Sequence, residues 1–203
     1  VLAAAAAEPL AGPHVGLWLG PGANVVHYPV RAGREIALVI IAREDWLASG
    51  WDNRVEAASV LARLATFHPS LIEVLAQAPE YRKWSLHRLA RLPRWSRGRI
   101  GLIGDAAHPM LPHLAQGAAL ALEDALVLGE LLGDDKADVV QTLRRFESER
   151  RGRAARVTAL SRRNGQLYHL DAPLTWIRDA ALRLLPGAWL MAGYDRLYGW
   201  RPD

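Results

Sequence analysis

Arg99-Ile100-Gly101-Leu102-Ile103-Gly104-Asp105-Ala106-Ala107-His108-Pro109-Met110-Leu111-Pro112-His113-Leu114-Ala115-Gln116-Gly117 is the stretch that decides the fold. Its first five residues read as a short apolar strand of the fully buried type, running straight into Gly104-Asp105. After the loop that holds Pro109 and Pro112, the residues Leu122, Leu126, Gly129 and Leu132 mark one helical face. Ala118, Ala121 and Ala125 keep that helix thin enough to pack closely. The unit is therefore strand, loop, helix, with a carboxylate at the carboxyl edge of the strand, where open α/β sheets bind ligands. A helix N-terminus follows, and its free N–H groups and positive dipole end favour an anion or an electron-rich carbonyl. A ligand hydroxyl at Asp105 and a ligand oxygen at the amides of Gln116 to Ala118 would both be satisfied.

Upstream, three short strands are expected at His14–Leu19, Val25–Val30 and Glu35–Ile41, broken by Gly20-Pro21-Gly22-Ala23-Asn24 and by Arg31-Ala32-Gly33-Arg34. Turn residues at such short intervals imply an antiparallel meander. The period of two puts Val26, Tyr28 and Val30 on one face and Val25, His27 and Pro29 on the other. One face should line a core or a pocket, and the pattern leaves open which. Asp52 or Asn53 is expected to cap a helix through Val60 to Ala65, and Ser70 with Glu73 forms a capping box for a second short helix, with His68-Pro69 between the two. Lys83 to Leu89 alternates again as a strand that returns to the sheet, and Arg94 to Gly98 reads as a loop.

Downstream, Val139, Leu143, Phe146, Val157, Leu160 and Leu167 follow helical steps, and Asp171 to Pro173 starts a further helix ended by Pro186-Gly187. Arg144 to Arg163 holds eight arginines against Glu147 and Glu149, the main concentration of positive charge in the chain. It reads as the solvated face of a long helix, with Glu147 paired to Arg150 or Arg151. No aromatic-interleaved strand or base-reading motif accompanies it, so no nucleic-acid partner is expected. The 203 residues, 51% hydrophobic and 23% charged, suit a globular protein with a real core. With no cysteine, zinc-thiolate sites, disulfides and cysteine nucleophiles are excluded, which fits a cytoplasmic protein. No metal site is expected either. The apolar run from Ile100 to Leu132 is interrupted by Asp105, His108, Glu123 and Asp124, so no membrane span is expected. Val1 to Ala7 has no basic stretch before it and reads as the interior of a longer chain, not as a signal peptide.

The run from Gly104 through Gln116-Gly117 to Glu123-Asp124-Ala125 resembles the flavoprotein aromatic hydroxylases of the salicylate hydroxylase and 6-hydroxynicotinate monooxygenase group. Gly20-Pro21-Gly22 with His27-Tyr28-Pro29-Val30, and Ser161 to Gly165 with Tyr168-His169-Leu170, look like the same group, so the resemblance covers nearly the whole chain. It implies an α+β chain: a substrate-binding antiparallel sheet, then the C-terminal half of an FAD-binding α/β domain with long C-terminal helices. Residues 1–92 would be the substrate sheet and its helices, 93–135 the FAD-contacting strand, loop and helix, and 136–203 the helices packing on the FAD domain. The cofactor implied is FAD, with NAD(P)H and O2 as co-substrates and a small aromatic substrate. A homodimer is among the expectations. Gly104, Asp105 and Ala106 would meet the ribityl chain, and Pro112, Gln116, Gly117 and Ala118 the isoalloxazine ring. The wider family often has Gly-Gln-Gly before the helix, where this chain has Ala115-Gln116-Gly117. No G-x-G-x-x-G stands after a strand near the start, so the ADP half of FAD has no recognisable site here.

Each site residue also has a plainer reading. Asp105 would otherwise cap its turn. His113 resembles the substrate-side histidine of the salicylate-type enzymes and would act as base or hydrogen-bond partner, or else is structural. Tyr28 is a pocket phenol or a core aromatic. His108 fixes the loop by hydrogen bonding. Glu123-Asp124 braces the helix and is not an acid/base pair, since adjacent helical residues diverge by about 100 degrees. The alternative to an enzyme is a truncated piece or interaction module that binds no FAD.

Overall fold

The computed structural model describes residues 1–45, 50, 52–87, 89, 92–133 and 138–201. The strand expected from Lys83 to Leu89 therefore lies partly outside the described residues. Packing divides the chain into two compact units, Val1–Ser85 with Leu167–Arg183, and Leu86–Gln166 with Leu184–Asp203.

The first unit is built on a meander. Strands β1 (Leu2–Ala3), β2 (Gly16–Gly20), β3 (Ala23–Val30) and β4 (Glu35–Ala42) form one antiparallel sheet in the order β1-β4-β3-β2. The expected meander is present, and β1 is an addition that two residues of alternation do not signal. β3 begins at Ala23, two residues before the expected start, because Gly20 pairs with Ala23 across a tight Pro21-Gly22 turn in which Gly22 takes φ 65. Ladder partners share a face, so the register sorts the side chains. Val25 stands with Trp18 and Ile40, and His27 with Gly16 and Leu38; on the reverse, Val26 stands with Leu17 and Val39, and Tyr28 with Ala37. The Val25 face carries the core, where Leu2, Leu10, Val25 and Ile36 pack with Leu64, Phe67, Leu71, Val74 and Leu75. Burying each such leucine stabilises the fold by about 1.5–3 kcal/mol.

Three expectations fail in this unit. Asp52–Val55 is strand β5, not a helix cap; it pairs with β6 (Tyr81–Trp84) in a separate two-stranded ribbon, so the strand near Lys83 does not return to the main sheet. Its Asp52 is taken up by an ion pair with Arg82 across the ribbon at 2.9 Å, leaving helix α1 (Ala57–Arg63) to start after Glu56. In helix α2 (Pro69–Ala76) the cap is His68, whose Nδ1 accepts from the Ser70 amide; Pro69, lacking an N–H, takes the first helical position and displaces Ser70 from the cap.

In the second unit, β7 (Ser96–Arg97) and β8 (Ile100–Gly101) form a hairpin through Gly98, where a loop was expected up to Gly98. β8 is not the buried strand of the sequence reading: Ile100 is 72% exposed, and Ile103 is exposed too. Helix α3 (Gly117–Leu132) buries Leu120, Asp124 and Val127, so the expected face of Leu122, Leu126 and Leu132 is the exposed one. The two leucine sets differ by their place on the wheel, and only the i, i+4, i+7 set beginning at Leu120 meets a partner surface. Helix α4 (Val139–Tyr168) buries Leu143, Phe146 and Val157 as its period requires, but Leu167 is exposed. It also buries Arg150 and Arg153, which were expected in solvent; four carboxylate-directed bonds described below account for this. After Asp171 to Pro173 come α5 (Leu174–Leu184), α6 (Gly187–Ala192) and α7 (Asp195–Tyr198). Among the described residues no helix is long and apolar enough to cross a membrane.

Candidate functional site

The site is the segment from Gly104 to Ala118, in the second unit. Gly104 sits at φ 56, a conformation that glycine adopts without strain. A Cβ added there would lie 3.2 Å from the Ala121 Cβ, so the turn also sits close against α3. The Gly104 carbonyl accepts from the amides of Ala107 and His108, both at 2.9 Å, closing a tight turn whose middle residues, Asp105 and Ala106, are exposed. The Asp105 carboxylate stands beside the start of α3: a Cβ built on Gly117 would lie 3.8 Å from its Oδ1. The first turn of that helix contains no acidic residue, and Gln116, at the cap position, makes no side-chain capping bond. The first amides of the helix, at Gly117 and Ala118, therefore receive no capping bond from the Gln116 side chain, and they lie next to an exposed carboxylate.

Between them runs the loop of Pro109 to Gln116, in which Pro112 is exposed and its carbonyl accepts from the Ala115 amide at 3.1 Å. Helix α4 holds this loop from behind. Ser161 Oγ donates to the Leu111 carbonyl at 2.6 Å, and Gly165 meets the His113 ring so closely that an added Cβ would stand 2.5 Å from its Cδ2 and Nε2. Burial pushes the His113 pKa down from its ordinary value near 6.5, because the charged ring would lose hydration.

The turn has a second support underneath. Asp124, fully buried, accepts on Oδ2 from the Gly104 amide at 3.0 Å and the His108 ring Nε2 at 2.7 Å, and on Oδ1 from Arg150 Nε at 2.8 Å. Glu123 accepts from Arg150 at 2.6 Å and from Arg153 at 2.7 and 3.0 Å. Arg153 also donates to the carbonyls of Arg196 and Leu197, and both guanidinium groups lie over the Trp200 ring, at 4.8 and 5.4 Å. Burial pushes the Asp124 pKa up, yet the bonds from His108, Arg150 and Gly104 outweigh it and hold the carboxyl below the usual carboxylate range.

Gly104, Asp105, Ala106, Pro112, His113, Gln116, Gly117 and Ala118 thus come together on one strand-loop-helix segment. Tyr28 belongs to the other unit. It is half-buried on the sheet face opposite the core, while His27 lies on the other face from Tyr28, as expected, with Trp18 Nε1 donating to its Nδ1 at 2.9 Å. On the Tyr28 face, Asn24 Oδ1 accepts from His169 Nε2 at 2.8 Å, both side chains buried. That pair escaped the sequence reading, which assigned Asn24 to a turn. No group of three or more histidine, aspartate or glutamate side chains positioned for a metal occurs among the described residues.

The protein-family model described as "FAD binding domain" matches residues 5–161. The 3-hydroxybenzoate 6-hydroxylase of Klebsiella oxytoca is 34% identical over 191 residues, which cover 92% of this chain and 47% of that protein. The salicylate hydroxylase of Pseudomonas putida is 35% identical over 176 residues, 82% of this chain and 41% of that one. Among solved structures, a salicylate hydroxylase substrate complex superposes with a TM-score of 0.76 at 30% identity, covering 97% of this chain and 48% of its own. Klebsiella pneumoniae HpxO in complex with FAD and uric acid gives 0.75 at 27%, covering 93% and 48%. The chain spans about half the length of the relatives it matches.

Proposed function

The chain belongs to the FAD binding domain family, and from that premise we propose that it is the C-terminal part of a flavin-dependent monooxygenase that hydroxylates a phenolic or carboxylated aromatic ring with FAD, NAD(P)H and O2. One observation carries the reading: the exposed Asp105 carboxylate beside the amides that begin α3, which the Gln116 side chain leaves uncapped. An acceptor and a row of donors side by side suit a ligand that offers hydroxyls at one end and ring oxygen or nitrogen at the other, as a ribityl chain and an isoalloxazine do. Gly104, Asp105 and Ala106 would hold the former, and Pro112, Gln116, Gly117 and Ala118 would line the latter. Gly117, with no Cβ, leaves the approach to the amides open. When bound, FAD supplies the redox and oxygen-transfer chemistry: one atom of O2 replaces a ring hydrogen as hydroxyl, and the other leaves as water at the expense of NAD(P)H.

The chain's own residues orient and deprotonate. His113, kept neutral by burial, would accept the proton of a substrate phenol or hydrogen-bond the resulting phenolate. The sheet of residues 1–92 would be the substrate side, with the phenol of Tyr28 holding a polar group of the substrate and the apolar row Leu17, Val26 and Val39 excluding water. Residues 93–135 would contact FAD, and 136–203 would support that segment. Relatives named for 3-hydroxybenzoate and for salicylate favour a hydroxylated benzoate or similar ring. The exposed Ile100, Ile103, Leu122 and Leu126 would be covered by the portion of the protein that this chain does not span, which would also carry the site for the ADP half of FAD.

The test is the bound flavin, read by visible absorbance, in this chain alone and in the chain joined to the upstream part of its gene. Flavin in the longer protein only is the expected result. Flavin in neither would reduce the Gly104–Ala118 segment to a structural loop and end the monooxygenase reading, leaving an interaction module.

A further inference from the structure

We propose that Asp124 is a positioning residue for the cofactor: it clamps the turn that presents Asp105, and the tightness of FAD binding depends on that clamp. The inference rests on Asp105 being a flavin contact.

The geometry is specific. The turn runs from Gly104 to His108, and Asp124 Oδ2 receives a donor from each end of it, the Gly104 amide at 3.0 Å and the His108 ring at 2.7 Å. Asp105 and Ala106, in the middle, are exposed, so the ends are fixed and the centre is offered outward. The clamp is itself fixed. Arg150 Nε takes the other carboxylate oxygen, and the remaining Arg150 bond, with two of those from Arg153, goes to Glu123. Two carboxylates and two guanidinium groups balance, so the cluster needs no further charge, and the imidazole can give Nε2–H to Asp124 while neutral. Trp95 packs on that imidazole, with ring centroids 5.2 Å apart.

A carboxylate is required at position 124. It offers acceptors only, and three donors converge on it. An amide there has one acceptor oxygen and an NH2 group that must face at least one of those donors. Facing the turn, that NH2 would displace the bonds from Gly104 and His108; facing Arg150, it would break the bond that anchors the clamp, and in either orientation the Asp105 carboxylate loses its fixed direction. Glu123, by contrast, receives no donor from the turn. The two neighbouring acids therefore separate two roles: Glu123 neutralises the arginines, whereas Asp124 also sets the turn.

The experiment uses the chain joined to the upstream part of its gene, with Asp124→Asn and Glu123→Gln compared. FAD dissociation constants are measured by flavin fluorescence, apo-protein stability by urea unfolding, and the His108 ring N–H by its slowly exchanging nitrogen-bound proton signal. Both variants lose stability. Asp124→Asn is expected to weaken FAD about tenfold or more beyond Glu123→Gln and to lose the His108 signal, since the charged acceptor that holds both ends of the turn is replaced by a neutral amide. Should Asp124→Asn fail to fold, His108→Ala releases one end of the clamp with the buried charges left balanced, and the same loss of FAD affinity is expected. Equal FAD affinity in the Asp124 or His108 variant and in Glu123→Gln would overturn the proposal and leave the cluster purely structural. A parent protein that binds no FAD would instead overturn the flavin reading on which it rests.

Discussion

Gly165→Ala tests how α4 seats the loop. The added methyl would lie 2.5 Å from the Cδ2 and Nε2 atoms of His113 and 3.2 Å from Cε1, so the ring must retreat by about 1 Å to reach ordinary contact. Two effects oppose each other. Overpacking a fitted contact costs about 1–3 kcal/mol, and replacing glycine inside a helix returns about 1 kcal/mol. The net expectation is a loss of about 0–2 kcal/mol. The more diagnostic change is electrostatic: a ring pushed off its seat regains water, and its pKa rises back toward the ordinary histidine value from which burial lowers it. Urea unfolding reads the first quantity and an NMR pH titration of the His113 ring reads the second. A variant stabilised by the full helical gain, with an unmoved His113 titration, would refute the contact on which the seating of the loop depends.

Three further outcomes are expected. In a flavin-loaded enzyme extended upstream, His113→Ala should depress ring hydroxylation about 100-fold and raise uncoupled hydrogen peroxide; unchanged coupled turnover removes His113 from the chemistry. Stability should fall in mild acid. His27, lowered by burial and then by His14, and His113, lowered by burial, both have folded pKa values below their ordinary 6.5, so the unfolded chain takes up protons first. Their contribution is intact above about pH 6.5 and is lost as pH falls through the folded values; urea midpoints that stay flat from about pH 7 to pH 5 would contradict it. At the alkaline end, burial raises the Tyr81 phenol to about 12, and its hydroxyl donates to the Leu75 carbonyl at 2.6 Å. The unfolded chain loses that proton first, near its ordinary 10.0, so stability present below that value declines as pH rises toward 12, a slope that Tyr81→Phe should abolish.

The meander was legible because alternation and turn residues act over a few positions. Val25, His27 and Tyr28 fall on the faces that the period of two assigns them, and the ladder confirms the register. The strand at Asp52–Val55 was not legible: Asp52 and Asn53 are good helix caps in isolation, and only pairing with Tyr81–Trp84, a distant segment, makes them extended. The face of α3 failed for a related reason. Leu122, Leu126 and Leu132 form as good an apolar stripe as Leu120 with Val127, and a sequence does not say which of two stripes finds a partner surface.

The loop from Gly104 to Gly117 could be read because glycines, prolines and a helix start sit at fixed offsets within it. Its support could not be read in the same way. Arg150 and Arg153 lie in a run of eight arginines, and such a run reads as solvated until acids are located for two of its members. Those acids are 26 to 30 residues upstream. One sign was nevertheless present. Between Gly117 and Gly129 the helix carries no charge except Glu123-Asp124, in a segment otherwise of alanine, leucine, valine and glycine. Two adjacent acids on so apolar a helix are costly to bury unless paired. Two arginines three apart on the next helix supply equal and opposite charge on one face. Matching the charge count of neighbouring helices, not the period within each, is what would have placed the clamp beneath Asp105.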